Sequence, residues 1–237
     1  MTSQVVGRVN SFQSLGASDG PGVRFVVFLQ GCNLRCGCCH NPDTWDMLGA
    51  SLYSAKEIAE RCHRYKEYFG EEGGITVSGG EPLLQAKFVY AIFKECHKLG
   101  INTCLDTSGS LINEDVKKLL SVTDHVLLDI KYQSDHDYRT YVGCGMDKPL
   151  EFLSVLDELG IATVLRRVII PTLTDKEDDI VSLKKLKECT PCVKKVELLP
   201  FRKLCKEKYE RLKINFPFEG IPEPTTDIMN RLNALLM

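Results

Sequence analysis

The chain has 237 residues, 43% of them hydrophobic and 26% charged, with a formal net charge of −2. That length fits one large domain, or two small ones without much room to spare, and a domain near this size buries roughly 70–75% of its unfolded surface, so its core needs no disulfide support. The near-neutral charge gives no electrostatic case for nucleic-acid binding, and the longest apolar run near the start, FVVFL at 25–29, is far too short for a signal peptide or a membrane span.

Residues 1–22 read as a lead-in. From there, apolar β-branched runs alternate with segments of helical period. The first strand is VRFVVFLQ at 23–30, followed by the loop GCNLRCGCCHNPDTW at 31–45. A helix follows over 54–69, opened by Ser54 with Glu57 three residues later, the spelling of a capping box. Strands are then predicted at 74–78, 101–106, 125–130, 161–170 and 193–200, and helices at 83–100, 113–121, 149–160 and 175–188. Gly100 and Gly160 each close a helix just before a strand, as left-handed C-caps do. Residues 206–237 read as a C-terminal extension, with FPFEGIPEPTT as a loop before a last short helix.

Strand and helix in strict alternation predict an α/β fold of parallel β/α units with right-handed crossovers. The count is six units and not eight, which suits a partial (β/α)6 barrel with short N- and C-terminal extensions. One domain is expected over 1–237, with its core at about 20–205. Polar or glycine clusters sit at the predicted strand ends: SGGE (78–81), LDTSG (105–109), LDIK (128–131), RRVIIPT (166–172) and LPFR (199–202). In parallel β/α architectures the C-terminal strand ends converge on one site, so these clusters and the cysteine loop are predicted to border one cavity.

Eleven cysteines form an odd set, and four of them, Cys32, Cys36, Cys38 and Cys39, fall within eight positions ahead of His40. That is a poor layout for a secreted disulfide framework and suits a reducing cytoplasm, where clustered thiols read as metal ligands. C-x3-C-x2-C over Cys32, Cys36 and Cys39 can direct three thiolates to three irons of a cubane and leave the fourth iron open. Cys38 adjoins Cys39, so both side chains are not expected on one cluster. A zinc knuckle using His40, or a set of reduced core thiols, remains as an alternative, although no second cysteine hairpin is present. Cys62, Cys96, Cys104, Cys144 and Cys205 read as packing residues, and Cys189 with Cys192 as a helix end entering a strand.

The cysteine triad after the first strand and SGGEP after the second together resemble the radical S-adenosylmethionine (SAM) superfamily. More narrowly, SDGPGVRFVVFLQGCNLRCGCCHNPDTWD (18–46), GGITVSGGEPLLQ (73–85), NTCLDTSG (102–109), LLDIK (127–131) and VELLPF (196–201) resemble the pyruvate formate-lyase activating enzymes, over about residues 6–211. The resemblance implies that Cys32, Cys36 and Cys39 hold a [4Fe–4S] cluster whose open iron binds SAM. Reductive cleavage of SAM then gives a 5′-deoxyadenosyl radical that abstracts hydrogen from a backbone glycine of a glycyl radical enzyme, pyruvate formate-lyase. The implied SAM-binding set is Cys38, Cys39, His40, Gly79, Gly80, Glu81, Asp106, Asp129, Ile130, Lys131, Arg166 and Arg202. Glu81 is expected to cap or brace its turn, and no side chain is expected to act as an acid or base.

Asp19, Gly20 and Arg24, in the DGPG lead-in, are implied to border the entry of the partner's glycine loop. A flavodoxin or ferredoxin is the implied electron donor to a cytoplasmic monomer, with no nucleic-acid or membrane partner. Three departures stand out: Cys38 where the superfamily commonly has an aromatic residue, LPFR with Arg202 where LPYH is usual, and CGMD at 144–147 in place of a VSN-like stretch. Competing expectations are an activase of a different glycyl radical enzyme, a radical enzyme acting on a small molecule, and a zinc-binding structural module.

Overall fold

A computed structural model describes residues 5–237. Its strands are β1 (Val6–Gly16), β2 (Arg24–Leu29), β3 (Ser51–Ser54), β4 (Gly74–Gly79), β5 (Asn102–Thr107), β6 (His125–Asp129), β7 (Ala162–Ile169) and β8 (Val193–Pro200). The helices are α1 (Ala55–His63), α2 (Ala86–Lys98), α3 (Glu114–Leu120), α4 (Asp135–Tyr141), α5 (Asp147–Glu158), α6 (Glu177–Glu188), α7 (Lys206–Leu212) and α8 (Thr226–Ala234). The strand order is β3-β1-β2-β4-β5-β6-β7-β8, unclosed at both ends. Pairing is parallel for β2–β4, β4–β5 and β7–β8 and antiparallel for β1 with both β2 and β3.

The six strands expected from periodicity are all present, shifted by a residue or so at their ends. The lead-in differs from its reading: it contains β1, eleven residues long, most of whose exposed positions are polar. α4, capped by Ser134, and α7 also lay outside the sequence reading. The helix expected over 54–69 stops at His63, and a 3₁₀ turn at Lys66–Tyr68 carries Phe69 into the core.

The chain divides into two compact units, residues 1–33 with 44–127, and residues 34–43 with 128–237. In the first unit, the Ser54 hydroxyl accepts from Glu57 N at 3.3 Å while Glu57 accepts from Ser54 N at 2.7 Å, so α1 opens on a complete capping box. α2 buries Phe88, Val89, Ile92, Phe93 and Cys96, a stripe with the spacing of one helical face. Gly100 follows this helix at φ +65°, the left-handed conformation that ends a helix without a Cβ penalty.

The largest fully buried side chain of this unit is Arg24. Its guanidinium makes its hydrogen bonds to neutral oxygens. Nε donates to Thr76 Oγ1 at 3.0 Å, Nη1 to Glu72 O at 3.0 Å and Asn102 Oδ1 at 2.8 Å, and Nη2 to Ile75 O at 2.6 Å. Burial lowers its pKa below the ordinary arginine value, yet the fork stays satisfied by oxygen acceptors. One side chain thus ties the start of β2 to β4 and β5.

In the second unit, successive β7 residues Arg166 and Arg167 point to opposite faces, as a pleated strand requires. Arg167 donates to Ile130 O at 2.8 Å and Tyr132 O at 3.0 Å, and its own pKa is lowered to about 10 by burial. The C-terminal extension is tied down by aromatic packing: Tyr209 and Phe216 lie 4.9 Å apart, Phe201 and Phe216 6.1 Å, and Tyr141 and Phe218 5.6 Å between ring centroids. α8 packs on β8.

Candidate active site

The cysteine loop is held at both of its halves. In the first unit, Gly31 N donates to Thr44 O at 2.8 Å and Cys32 N to Trp45 O at 3.4 Å, so the loop returns on itself around Cys32. In the second unit, Cys39 N donates to Cys36 O at 3.1 Å, a tight turn that presents Cys36 and Cys39 three positions apart. That turn is fixed from outside by Arg35 N on Val142 O and Gly37 N on Tyr141 O, both at 2.9 Å, and by Tyr209, whose hydroxyl donates to Cys39 O at 3.2 Å. A Cβ on Gly37 would overlap the Phe218 ring, which explains why glycine stands between the thiols. Cys32, Cys36, Cys38 and Cys39 are all partly exposed, and no disulfide forms among the described residues. Cys38 is nevertheless set in surroundings that push its thiol up to about 12, first by burial and then by the Cys36 thiolate.

The first unit contributes the ends of β4 and β5. Gly79 adopts φ +112°, and a Cβ on Gly80 would overlap the Gly31 carbonyl oxygen, so the backbone alone fits there. Gly80 N donates to Leu29 O at 2.9 Å and Glu81 N to Gly31 O at 2.8 Å, which seats SGGE against the chain just ahead of Cys32. The Glu81 side chain is 2% exposed and faces only neutral donors: Thr107 Oγ1 at 2.6 Å, Ser108 N at 3.0 Å, Leu83 N at 3.2 Å and the Ser108 hydroxyl. Burial raises its pKa above 4.5, partly offset by these hydrogen bonds. Glu81 therefore braces the two strand ends. Asp106 accepts from Ser78 Oγ at 2.6 Å across the same pair of strands.

The second unit contributes Asp129, Ile130, Lys131 and Arg166. Asp129 accepts from Lys131 Nζ at 2.8 Å and from Arg166 Nε at 3.3 Å, with the three side chains 22%, 18% and 10% exposed. Burial works to raise the Asp129 pKa, but the Lys131 and Arg166 charges outweigh it and hold the carboxyl below 3.8. Lys131 is likewise kept well above its ordinary value, because Asp129 and the nearby thiolates outweigh the burial that opposes its charge. Ile130, fully buried, donates its N–H to Arg166 O at 2.9 Å and fixes the spacing of the set. Asp129, Lys131 and Arg166, with Cys38, Tyr132, Val168 and Ile170, line a narrow cavity. Tyr132 carried no sequence signal beyond being an aromatic just past a strand end.

His40 and Arg202 are brought together, with His40 Nε2 donating to Arg202 O at 2.9 Å. The Arg202 guanidinium pairs with Glu223 at 2.7 Å on the surface, where half of it is exposed. The lead-in residues Asp19 and Gly20 sit in a turn held by the Arg24 lock, since Thr76 Oγ1 donates to Asp19 O at 2.6 Å and Arg24 Nη1 to Pro21 O at 3.3 Å. Arg24 itself is 0% exposed, and its contribution here is to hold that turn.

The model of the radical SAM superfamily matches residues 26–183. The pyruvate formate-lyase-activating enzyme of Clostridium pasteurianum is 43% identical over 233 residues, covering 98% of each chain. The pyruvate formate-lyase 1-activating enzyme of Escherichia coli K12 is 37% identical over 235 residues, covering 98% of this chain and 96% of its own. Among solved structures, Streptococcus suis SuiB bound to its precursor peptide shares the fold, with a TM-score of 0.68 and 17% identity over 88% of this chain and 44% of that one.

The superfamily uses a [4Fe–4S] cluster and SAM, and the residues present fit both. Among the described residues no three Cys, His, Asp or Glu side chains converge as a single ion needs. A cubane instead takes each thiolate on a different iron, and soft thiols are its usual ligands. In the second unit, Asp129, Lys131 and Arg166 offer both signs of charge, which suits a zwitterionic ligand. Family model, near full-length identity and fold agree: the chain belongs to the radical SAM superfamily and, within it, to the pyruvate formate-lyase-activating enzymes.

Proposed function

We propose that this protein activates pyruvate formate-lyase by abstracting hydrogen from a backbone glycine of that enzyme. The observation that carries the reading is the C-x3-C-x2-C loop in a chain 43% identical, end to end, to an activating enzyme of that name. Cys32, Cys36 and Cys39 are the cluster ligands, and Cys38 is not one. When bound, the cluster and SAM supply the electron transfer and the 5′-deoxyadenosyl radical that takes the hydrogen.

The chain's own part is to bind and orient. Gly79 and Gly80 keep side chains away from the methionine moiety, with Asp106 near its amino group. Lys131 and Arg166 carry positive charge for its carboxylate, and Asp129, held ionised, is placed for a ribose hydroxyl. Glu81 keeps the two strand ends in register. His40, Ile130 and Arg202 complete the SAM-facing set, and the turn of Asp19 and Gly20, held by Arg24, borders the entry of the glycine loop. A flavodoxin or ferredoxin serves as electron donor to a monomer in the cytoplasm, where eleven reduced thiols are at home.

Anaerobically reconstituted protein mixed with reductant, SAM and pyruvate formate-lyase is expected to give a glycyl radical by EPR. Its absence there, with a radical on another glycyl radical enzyme, would assign a different partner. Cys36→Ala is expected to abolish cluster iron while Cys38→Ala retains it, and equal loss from both would overturn the ligand assignment. One zinc per chain without iron or sulfide would overturn the cluster itself.

A further inference from the structure

Within the second unit, the C-terminal part of the chain reaches back to the cysteine loop at several successive positions. The Tyr209 hydroxyl donates to Cys39 O at 3.2 Å, and His40 Nε2 donates to Arg202 O at 2.9 Å. Lys208 Nζ donates to Asn41 Oδ1 at 2.8 Å and to Asp43 Oδ1 at 3.0 Å. Arg211 adds a longer pairing with Asp43, at 3.7 Å. Lys208 and Tyr209, neighbours on α7, thus grip the loop on both sides of His40.

The two grips differ in kind. Tyr209 is 1% exposed, its ring packs on Phe216, and its carbonyl accepts from Ile214 N at 3.1 Å, so its hydroxyl is held in place. Lys208 makes a charge-assisted bond to Asp43, stronger than a neutral one, and the same ammonium also holds Asn41. An exposed ion pair adds little to stability by itself. One ammonium spanning two positions of a loop that carries thiols is better suited to fixing geometry. At seven residues α7 is too short to persist without tertiary contacts, so helix and loop depend on each other.

Metal ligands keep their orientation through the groups that hold them from outside. We propose that α7 clamps the cluster loop, with Lys208 as a positioning residue that keeps Cys39 in register through Asn41 and Asp43. The proposal rests on the reading of Cys36 and Cys39 as cluster ligands. The plainer alternative makes the pairing of Lys208 with Asp43 a tack that only fastens α7 to the body of the unit.

The test compares the parent with Lys208→Met, Lys208→Arg and Tyr209→Phe, each reconstituted anaerobically with iron and sulfide. Transfer of cluster iron to a ferrous chelator is followed by absorbance, and the reduced cluster is recorded by EPR without SAM. Lys208→Met is expected to lose iron about tenfold faster, the worth of a charge-assisted hydrogen bond, and to show an altered EPR spectrum. Tyr209→Phe is expected to lose iron about fivefold faster, the worth of a neutral hydrogen bond. Lys208→Arg keeps the charge and is expected to restore most of the difference. An unchanged rate of iron loss in Lys208→Met would overturn the proposal. So would a lower urea midpoint with rate and EPR spectrum as in the parent, which leaves only the tack. If Lys208→Met does not fold, Tyr209→Phe, which retains the ring packing, decides by the same rate. A parent that takes up no cluster brings down the functional reading, whereas a loaded parent and indifferent variants defeat this inference alone.

Discussion

Two carboxylates, Glu81 buried in one unit and Asp129 half-buried in the other, are held in opposite ways. Glu81 sits among hydroxyl and amide donors with no cation beside it, and its pKa is raised. Asp129 sits between Lys131 and Arg166, and its pKa is lowered. Neutral donors satisfy the oxygens of Glu81 without neutralising its charge, so it serves best as a rivet between strand ends. Flanking cations keep Asp129 ionised and leave a surplus positive charge at the cavity wall, which is an arrangement for receiving an anion. The difference separates scaffold from binding surface more clearly than burial does.

The contrast can be broken by mutation. Glu81→Ala orphans the hydroxyls of Thr107 and Ser108 and the amides of Leu83 and Ser108, and a loss of about 4 kcal/mol is expected in denaturant unfolding. Asp129→Asn leaves Lys131 and Arg166 side by side. A smaller stability loss, about 2 kcal/mol, is expected because the cavity admits some solvent, together with weaker SAM binding by dialysis. Equal stability losses, or unchanged SAM binding in Asp129→Asn, would break the division of roles.

Titration sharpens it, because the two groups carry opposite signs. Asp129 contributes stability that is present above its unfolded value near 3.8 and lost as pH falls through the lower folded value. Glu81, raised above 4.5, holds its proton more tightly when folded, so its contribution declines as pH rises from 4.5 through the folded value. Urea midpoints across pH are therefore expected to show the gap between parent and Asp129→Asn closing towards acid. The gap to Glu81→Gln should close in the other direction, as pH rises. The smallest effect belongs to the surface: Arg202→Ala breaks an exposed pair with Glu223 and is expected to leave the denaturant midpoint unchanged. A clear shift there would give Arg202 a structural role.

The sequence made these groups visible unevenly. The six parallel strands were legible because each is an apolar run with a helix of clear period behind it, and Ser54 with Glu57 spelled the start of α1 outright. β1 was missed because only one of its faces is buried, and Arg8, Asn10, Ser11, Gln13 and Ser14 dilute its pattern. α4 was missed because a seven-residue polar helix has little period to show, although Ser134 and Asp137 carried a capping signal. At the site, LDIK and SGGE announced charge and glycine at strand ends, but not that Glu81 faces inward to hydroxyls. Arg24 illustrates the limit best: its place in DGPGVR was plain, while its burial depends on acceptors from Glu72, Ile75, Thr76 and Asn102, up to 78 positions away.

The unclosed strand order has a further consequence for how the protein keeps company in solution. A sheet that does not close leaves two edges, and unpaired edge amides are templates for adding strands from other molecules. One edge here, β3, is only four residues long. The other, β8, bears the exposed Lys194 and Lys195 and ends at Pro200, which has no amide hydrogen to offer. Lys194 and Lys195 thus guard against aggregation at the edge where an open sheet is most exposed to it.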